Sequence, residues 1–205
     1  MRPPRYPDLF ETFANVIPFQ QVSLAAGMSV VAQMIRRFGQ VLPAGARETQ
    51  LFLAASTVAD ARIGSLRQCG MSMRKAQALR AIAGLIASGA LTADMVKRLD
   101  SSEAIDWLTA LPGIGLWIAA LVLLRGFGRL DVFPAGDSGA QGNLMALMHL
   151  RSPSSLMRVV NRFGAQRGCL YFYGLASRQL AAGLIHPAGP LRGPAQRARR
   201  QLFLA

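Results

Sequence analysis

Histidine, cysteine and lysine are each present only twice in these 205 residues. Two cysteines cannot supply a four-thiolate zinc or iron–sulphur site, and His149 and His186 add too few ligands for a protein-only metal cage. Cys69 and Cys169 are expected to be buried and reduced, because a disulfide needs an oxidising compartment. Residues 1–20 carry Asp8 and Glu11 where a signal peptide would be apolar, so the expected location is intracellular. Carboxylates are scarce as well: there are ten, Asp137 is the last, and the 68 residues after it hold nine arginines. Long apolar runs are broken. The uncharged stretch Thr12 to Ile35 contains Asn15, Pro18, Gln20, Gln21 and Gln33, and 107–124 is cut by Pro112, Gly113 and Gly115, so no membrane span is expected.

What is abundant is apolar surface and arginine. Hydrophobic residues make up 52% of the chain and charged ones 16%, which rules out wholesale disorder. The length suits one domain or at most two small ones. Subtracting ten acidic from 23 basic residues leaves +13, and all the basic residues but Lys75 and Lys97 are arginine. The forked guanidinium favours phosphate, so a polyanionic partner is expected, with a merely solvated basic surface as the bland alternative. A membrane-surface protein would gather its cations on one amphipathic helix, whereas these are scattered.

The apolar spacing is helical almost throughout, in blocks at 8–16, 20–38, 48–56, 72–88, 92–99, 102–110, 116–125, 138–149, 153–163 and 166–183, with no alternating strand of useful length. Thr92, Asp100 with Glu103, and Ser152 before Pro153 read as helix starts. Gly39, Gly70, Gly89, Gly126 and Gly164 read as stops. The pattern predicts an all-α fold of one compact domain over 1–185, with room for a cleft between two helical lobes. Residues 186–205, rich in Pro, Gly and Arg, are expected to form a mobile basic tail.

Chemistry concentrates in two places. Leu111-Pro112-Gly113-Ile114-Gly115 links two helices by a tight hairpin, where Gly113 and Gly115 permit positive φ and bring bare backbone to a ligand. The N–H groups opening the next helix favour an anion such as phosphate. An ordinary loop between core helices is the competing reading. Further on, Asp137 ends a Gly/Pro-rich loop, Gly126-Phe127-Gly128-Arg129-Leu130-Asp131-Val132-Phe133-Pro134-Ala135-Gly136, and leads into a helix whose dipole favours an ionised carboxylate. By itself Asp137 reads first as the N-cap of that helix.

Together these motifs resemble the helix-hairpin-helix DNA glycosylases. The hairpin, Trp117, the step Arg125-Gly126, the segment Asp131-Val132-Phe133 and the final Asp137 occur in the order found in the alkylbase, or 3-methyladenine, branch. Gln20-Gln21-Val22-Ser23 is similar to that family's entry to its second helix, and Gly70, Lys75 and the Arg80 region match its middle segment. The resemblance covers about 10–180 and lacks the N-terminal domain of some members.

The resemblance implies a two-lobed fold with duplex DNA in the cleft, acting as a monomer in the cytoplasm with the nucleoid or in the nucleus. It implies that Asp137 is catalytic, that Trp117, Leu121, Tyr171 and Tyr173 line the base pocket, and that Gln20 and Gln21 contact DNA, with Gln21 filling the hole left by the flipped base; a pair that only caps or cross-links helices is the competing reading. Pro112, Gly113, Ile114, Gly115, Arg125 and Arg167 would contact DNA. The carbonyls of Thr109, Leu111 and Ile114 match those holding a Na+ or K+ ion, with no other cofactor and no iron–sulphur cluster. The lysine that cuts the strand in other members is replaced by Trp117, which implies base release alone. Leu121, where some relatives carry an aromatic residue, keeps open a rival: a non-enzymatic DNA-binding module using the same hairpin.

Overall fold

The computed structural model describes residues 3–44 and 47–183. Polar caps set most of the helices, each supplying an acceptor to an N–H that the first turn leaves without a partner. Asp8 starts α1 (Leu9–Val16) and Ser23 starts α2 (Leu24–Phe38). An antiparallel ribbon follows, β1 (Gly39–Ala44) with β2 (Arg47–Leu53), then the short α3 (Ala55–Ala59) and α4 (Ile63–Arg67). Ser72 caps α5 (Met73–Ala87) and Thr92 caps α6 (Ala93–Lys97). Asp100 and Glu103 form a reciprocal capping box on α7 (Ser101–Thr109). Gly115 opens α8 (Leu116–Val122), Asp137 caps α9 (Ser138–Leu147), and Ser152 caps α10 (Pro153–Arg162), with Pro153 at the first position. The last helix is α11 (Gly168–Ala181).

The fold is all-α apart from the ribbon. One hydrophobic core runs continuously from Leu9 to Phe172. On one side α3 and α4 pack on α5, and α2 packs on the ribbon; on the other, α9 packs against α10 and α11. Between them α1 touches both α5 and α8. The largest sealed side chains include Phe13, Ile17, Leu79, Leu108, Ile118, Leu124 and Leu144, each contributing roughly 1.5–3 kcal/mol by leaving water. Among the described residues no helix is long and apolar enough to cross a membrane.

Four expectations change. Residues 48–53 are strand, not helix: they pair antiparallel with β1, and the backbone turns extended at Gly39 (φ −70, ψ 147). A side chain at Gly39 would meet the carbonyls of Ile35 and Leu51 at 2.5 Å, so glycine is required where helix becomes strand. The helix expected from residue 20 begins only at Leu24, which leaves Gln20 and Gln21 in the preceding loop. The stop expected at Gly126 falls at Gly128 (φ 71), because the chain after α8 widens into a π-turn over Leu123–Phe127. Gly126 is small for another reason, since a Cβ there would meet Thr12 Oγ1 at 2.8 Å. Finally, Cys69 is buried but Cys169 is half exposed, and both are free thiols. The proposed tail, with His186, lies outside the described residues.

Gly168 joins α11 to the loop that carries Asp137. Its N–H donates to Leu130 O at 2.6 Å, and a Cβ would meet Val132 O at 2.6 Å and Leu130 O at 2.9 Å. Backbone cannot give way cheaply. Gly168→Ala is therefore expected to destabilise the fold by about 1–3 kcal/mol. Gly142→Ala, inside α9 with open space around it, should stabilise it by about 0.5–1 kcal/mol. Denaturant unfolding of the two variants checks the opposite signs.

Candidate active site

The hairpin between α7 and α8 is shaped by one residue in the left-handed region. Gly113 has φ 75 and lies so close to α5 that a Cβ would meet the Ala78 Cβ at 2.5 Å. Gly115 is not left-handed; with φ −101 it is the N-cap of α8, and nothing lies within 4 Å of where a Cβ would stand. Ile114 is buried and anchors the turn, while Pro112, Gly113 and Gly115 face solvent. The hairpin thus presents bare backbone, as an anion contact requires. Leu116, the next residue, is 70% exposed, a placement the surrounding apolar run conceals in the sequence.

The loop from Gly128 to Asp137 is held rigidly. Arg129 donates through Nη2 to Val96 O at 2.7 Å and to Leu99 O at 2.8 Å, so its charge sits on the C-terminal carbonyl end of α6. Val132, Phe133 and Pro134 are buried, and Asp137 N–H donates to Pro134 O at 2.9 Å. The Gln141 side chain donates back to Ala135 O. At the end of this loop both carboxylate oxygens of Asp137 are engaged. Oδ1 accepts the Ala140 N–H at 2.8 Å, and Oδ2 accepts the Trp117 indole N–H at 3.1 Å. Both residues are half-buried. The site thus stands where α8 meets α9, between the two sides of the fold.

Of the expected pocket residues, Tyr171 and Tyr173 part company. Two positions apart on α11 they point to opposite sides: Tyr171 is buried edge-on to Phe172 with ring centroids 5.4 Å apart, and Tyr173 is 49% exposed. Burial pushes the Tyr171 phenol up to about 12; the Arg125 guanidinium beside it acts in the opposite sense, and the Asp137 charge adds to the rise. Tyr171 therefore shares the surroundings of Asp137, and Tyr173 does not. Leu121 is buried one turn after Trp117 and packs in the core. Arg125, expected on DNA, turns inward instead. Its guanidinium carbon lies 4.8 Å from the centre of the Tyr6 ring, and its Nε is buried without a partner among the described residues. Arg167 donates through Nε to Gly164 O at 2.9 Å, within its own turn.

The glutamine loop is tied down by a residue whose position the sequence did not reveal. Lys75 donates to Pro18 O at 3.0 Å, and burial lowers its pKa. This bond fastens α5 to the segment that ends in half-buried Gln20 and exposed Gln21. Gln21 holds φ 55, a conformation unfavourable for any residue but glycine. Val22, Leu24 and Met28, just beyond it, are all exposed apolar residues. Among the described residues one ion pair forms, Lys97 with Asp94, so the arginine surface is largely without acidic partners. No three His, Cys, Asp or Glu side chains gather as a metal-ligand group among those residues. Two hollows of about 260 and 350 Å³ lie elsewhere, the first lined by Gln33, Arg36, Arg37, Gln68 and Cys69 and the second beside Arg5, Thr12 and Phe127.

The buried phenol has a pH consequence. A tyrosine that ionises later in the folded protein keeps its proton while the unfolded chain loses its own, so stability falls as pH rises from about 10 towards about 12. Below that window both states keep the proton, and stability is undiminished and independent of this group. Tyr171→Phe should flatten the decline, and phenolate absorbance should lose its latest step; alkaline titration with parallel unfolding measures both.

A family model described as the HhH-GPD superfamily base excision DNA repair protein matches residues 14–162. The chain is 28% identical over 149 residues to the DNA-3-methyladenine glycosylase of Bacillus subtilis, which is 72% of this chain and 49% of that protein. It is 31% identical over 137 residues to DNA-3-methyladenine glycosylase 2 of Escherichia coli, 67% of this chain and 48% of that one. It thus spans about half the length of these curated relatives. Among solved structures, a 3-methyladenine DNA-glycosylase from Archaeoglobus fulgidus superposes with a TM-score of 0.70 at 29% identity, covering 83% of this chain and 59% of that one. A family match over most of the chain, with the hairpin and the capped carboxylate in place, decides its membership: the chain belongs to the HhH-GPD superfamily of base excision DNA repair proteins.

Proposed function

We propose that the chain is a monofunctional DNA glycosylase that flips a damaged, alkylated purine out of duplex DNA and hydrolyses its N-glycosidic bond. The observation that carries this reading is the Asp137 carboxylate, held by two neutral donors at the N-terminus of α9 within a chain of this superfamily. Breaking the bond between base and sugar leaves positive charge at C1′. A fixed carboxylate stabilises that charge and orients or deprotonates the attacking water. The alkylated-purine preference draws support from the relatives named DNA-3-methyladenine glycosylases and from the indole of Trp117, whose face attracts a cationic base by roughly 0.5–2 kcal/mol. Gln21, exposed on its strained loop, is the candidate to fill the vacated stack. Activity on DNA would place the protein with the nucleoid or in the nucleus, acting as a monomer.

The hairpin backbone would hold the DNA phosphate. A Na+ or K+ ion suits the same place, because α7 ends there and the free carbonyls at a helix C-terminus attract a cation. The carbonyls of Thr109, Leu111 and Ile114 would hold it, with that of Leu111 also accepting the Ile114 N–H at 3.2 Å. The ion would supply positive charge against a DNA phosphate at the hairpin. Strand cleavage through a Schiff base needs an amine where Trp117 stands, and none is there.

Duplex DNA carrying one defined lesion tests the reading. The product should be an abasic strand that breaks only on hot alkali, and borohydride should trap no protein–DNA adduct. Asp137→Asn should slow single-turnover release on the order of 100-fold or more while duplex binding persists. A variant with near-normal rates sinks the catalytic assignment, and no release from any lesion favours the non-enzymatic DNA-binding module.

A further inference from the structure

An aspartate that only caps a helix is fixed at one oxygen. The Ala140 N–H holds Oδ1 of Asp137, but the torsion at the carboxylate is broad and two-fold, so the cap alone leaves the second oxygen and the plane of the group loosely set. The second bond removes that freedom. Indole Nε1 is a donor only and projects along one direction, and here it meets Oδ2 at 3.1 Å. From these two bonds we infer that Trp117 is a positioning residue: its indole N–H holds the Asp137 carboxylate in its working orientation, and this, more than contact with the base, is its contribution to base release. The inference rests on the proposed glycosylase reading of Asp137.

Three features favour this role. The donor is neutral. A lysine or arginine in its place would fix the carboxylate equally well but cancel the charge needed beside a developing sugar cation, whereas an N–H of no net charge orients the anion and leaves it anionic. Among the described residues no basic side chain forms an ion pair with Asp137. The charged or ionisable neighbours on packed elements are Tyr171 of α11, which feels the Asp137 charge, and Arg125, which lies beside that phenol and stacks on Tyr6.

The loop also lies directly against the tryptophan. A Cβ at Gly136, next to Asp137, would stand 3.8 Å from the Trp117 Cβ, an ordinary packing distance. Lastly, the link is short. Trp117 is the second residue of α8, two positions after the hairpin glycine Gly115, so one side chain joins the proposed phosphate contact to the carboxylate.

The experiment separates the N–H from the ring. Replacing Trp117 with the isostere benzothienylalanine, in which sulfur takes the place of N–H, keeps shape and aromatic face. Trp117→Phe removes the N–H by ordinary mutagenesis. Single-turnover release of cationic 7-methylguanine and of neutral hypoxanthine should fall by the same factor in the isostere, on the order of 10- to 100-fold, the size of one hydrogen bond to an ionised group, and Trp117→Phe should lose at least as much on both. Affinity of the isostere for the lesion duplex should be unchanged. In an Asp137→Asn background the further loss should vanish, because a residue acting through Asp137 has nothing left to act on. Full activity of the isostere, a loss confined to the cationic base, or losses that add to that of Asp137→Asn would each overturn the inference.

A readout without catalysis covers failure of the glycosylase reading. The chain has two tryptophans, so Trp107→Phe assigns the indole N–H resonances. The Trp117 signal should lie downfield, exchange slowly with solvent, and lose both properties in Asp137→Ala. Free exchange in the unmutated protein overturns the hydrogen bond and the inference. A protected signal in a protein that releases no base overturns the glycosylase reading and the catalytic role of the bond, while the bond itself stands.

Discussion

A half-buried carboxylate with no cationic partner is costly unless its oxygens are hydrogen-bonded, and that requirement organises the centre of this molecule. Asp137 meets it with one backbone donor from α9 and one side-chain donor from α8, which ties together the two sides of the fold. The neighbouring constraints lead to the same point. Arg129 straps the preceding loop to α6, Gly168 lets α11 close on Leu130 and Val132, and Phe133 with Pro134 is sunk into the core. Rigidity here has a chemical use, because a charge already in place need not be reorganised when a cation develops beside it.

Around this centre the protein divides its arginines by burial. Arg125 and Arg129 are drawn inward, one over Tyr6 and one onto the end of α6, and each leaves a buried nitrogen without a partner among the described residues. Most of the other described arginines stay at the surface without acidic partners. A net charge of +13 lowers the stability of the compact state by self-repulsion, a tolerable cost for a chain whose proposed partner supplies the missing anions. Lys75 contributes differently: its half-buried ammonium holds the Pro18 carbonyl and so steadies the strained loop at Gln21.

Local signals were legible where the physics is local. A capping side chain reaches an N–H two or three residues away, so Thr92, Asp100, Ser152 and Asp137 mark helix starts without help from the rest of the chain. The left-handed turns at Gly70, Gly89 and Gly164 follow for the same reason. Five-residue α4 was missed because, unlike the equally short α6 with its Thr92 cap, it has no capping side chain to mark its start. The ribbon was missed because strand pairing joins residues 14 apart, as at Gly39 with Leu53, and no local pattern reports it.

The motif order named Asp137 and Trp117 as neighbours in function, while the charge balance pointed to a polyanion and the apolar spacing to an all-helical core. Those properties reside in residue identity and short spacing, which the chain carries before it folds. Tertiary structure decided what spacing cannot. It turned Arg125 away from solvent, separated Tyr171 from Tyr173 across α11, sank Leu121 into the core, and closed a 3.1 Å bond between side chains 20 residues apart. Direction and burial are set by what packs against a helix, and that partner comes from elsewhere in the chain.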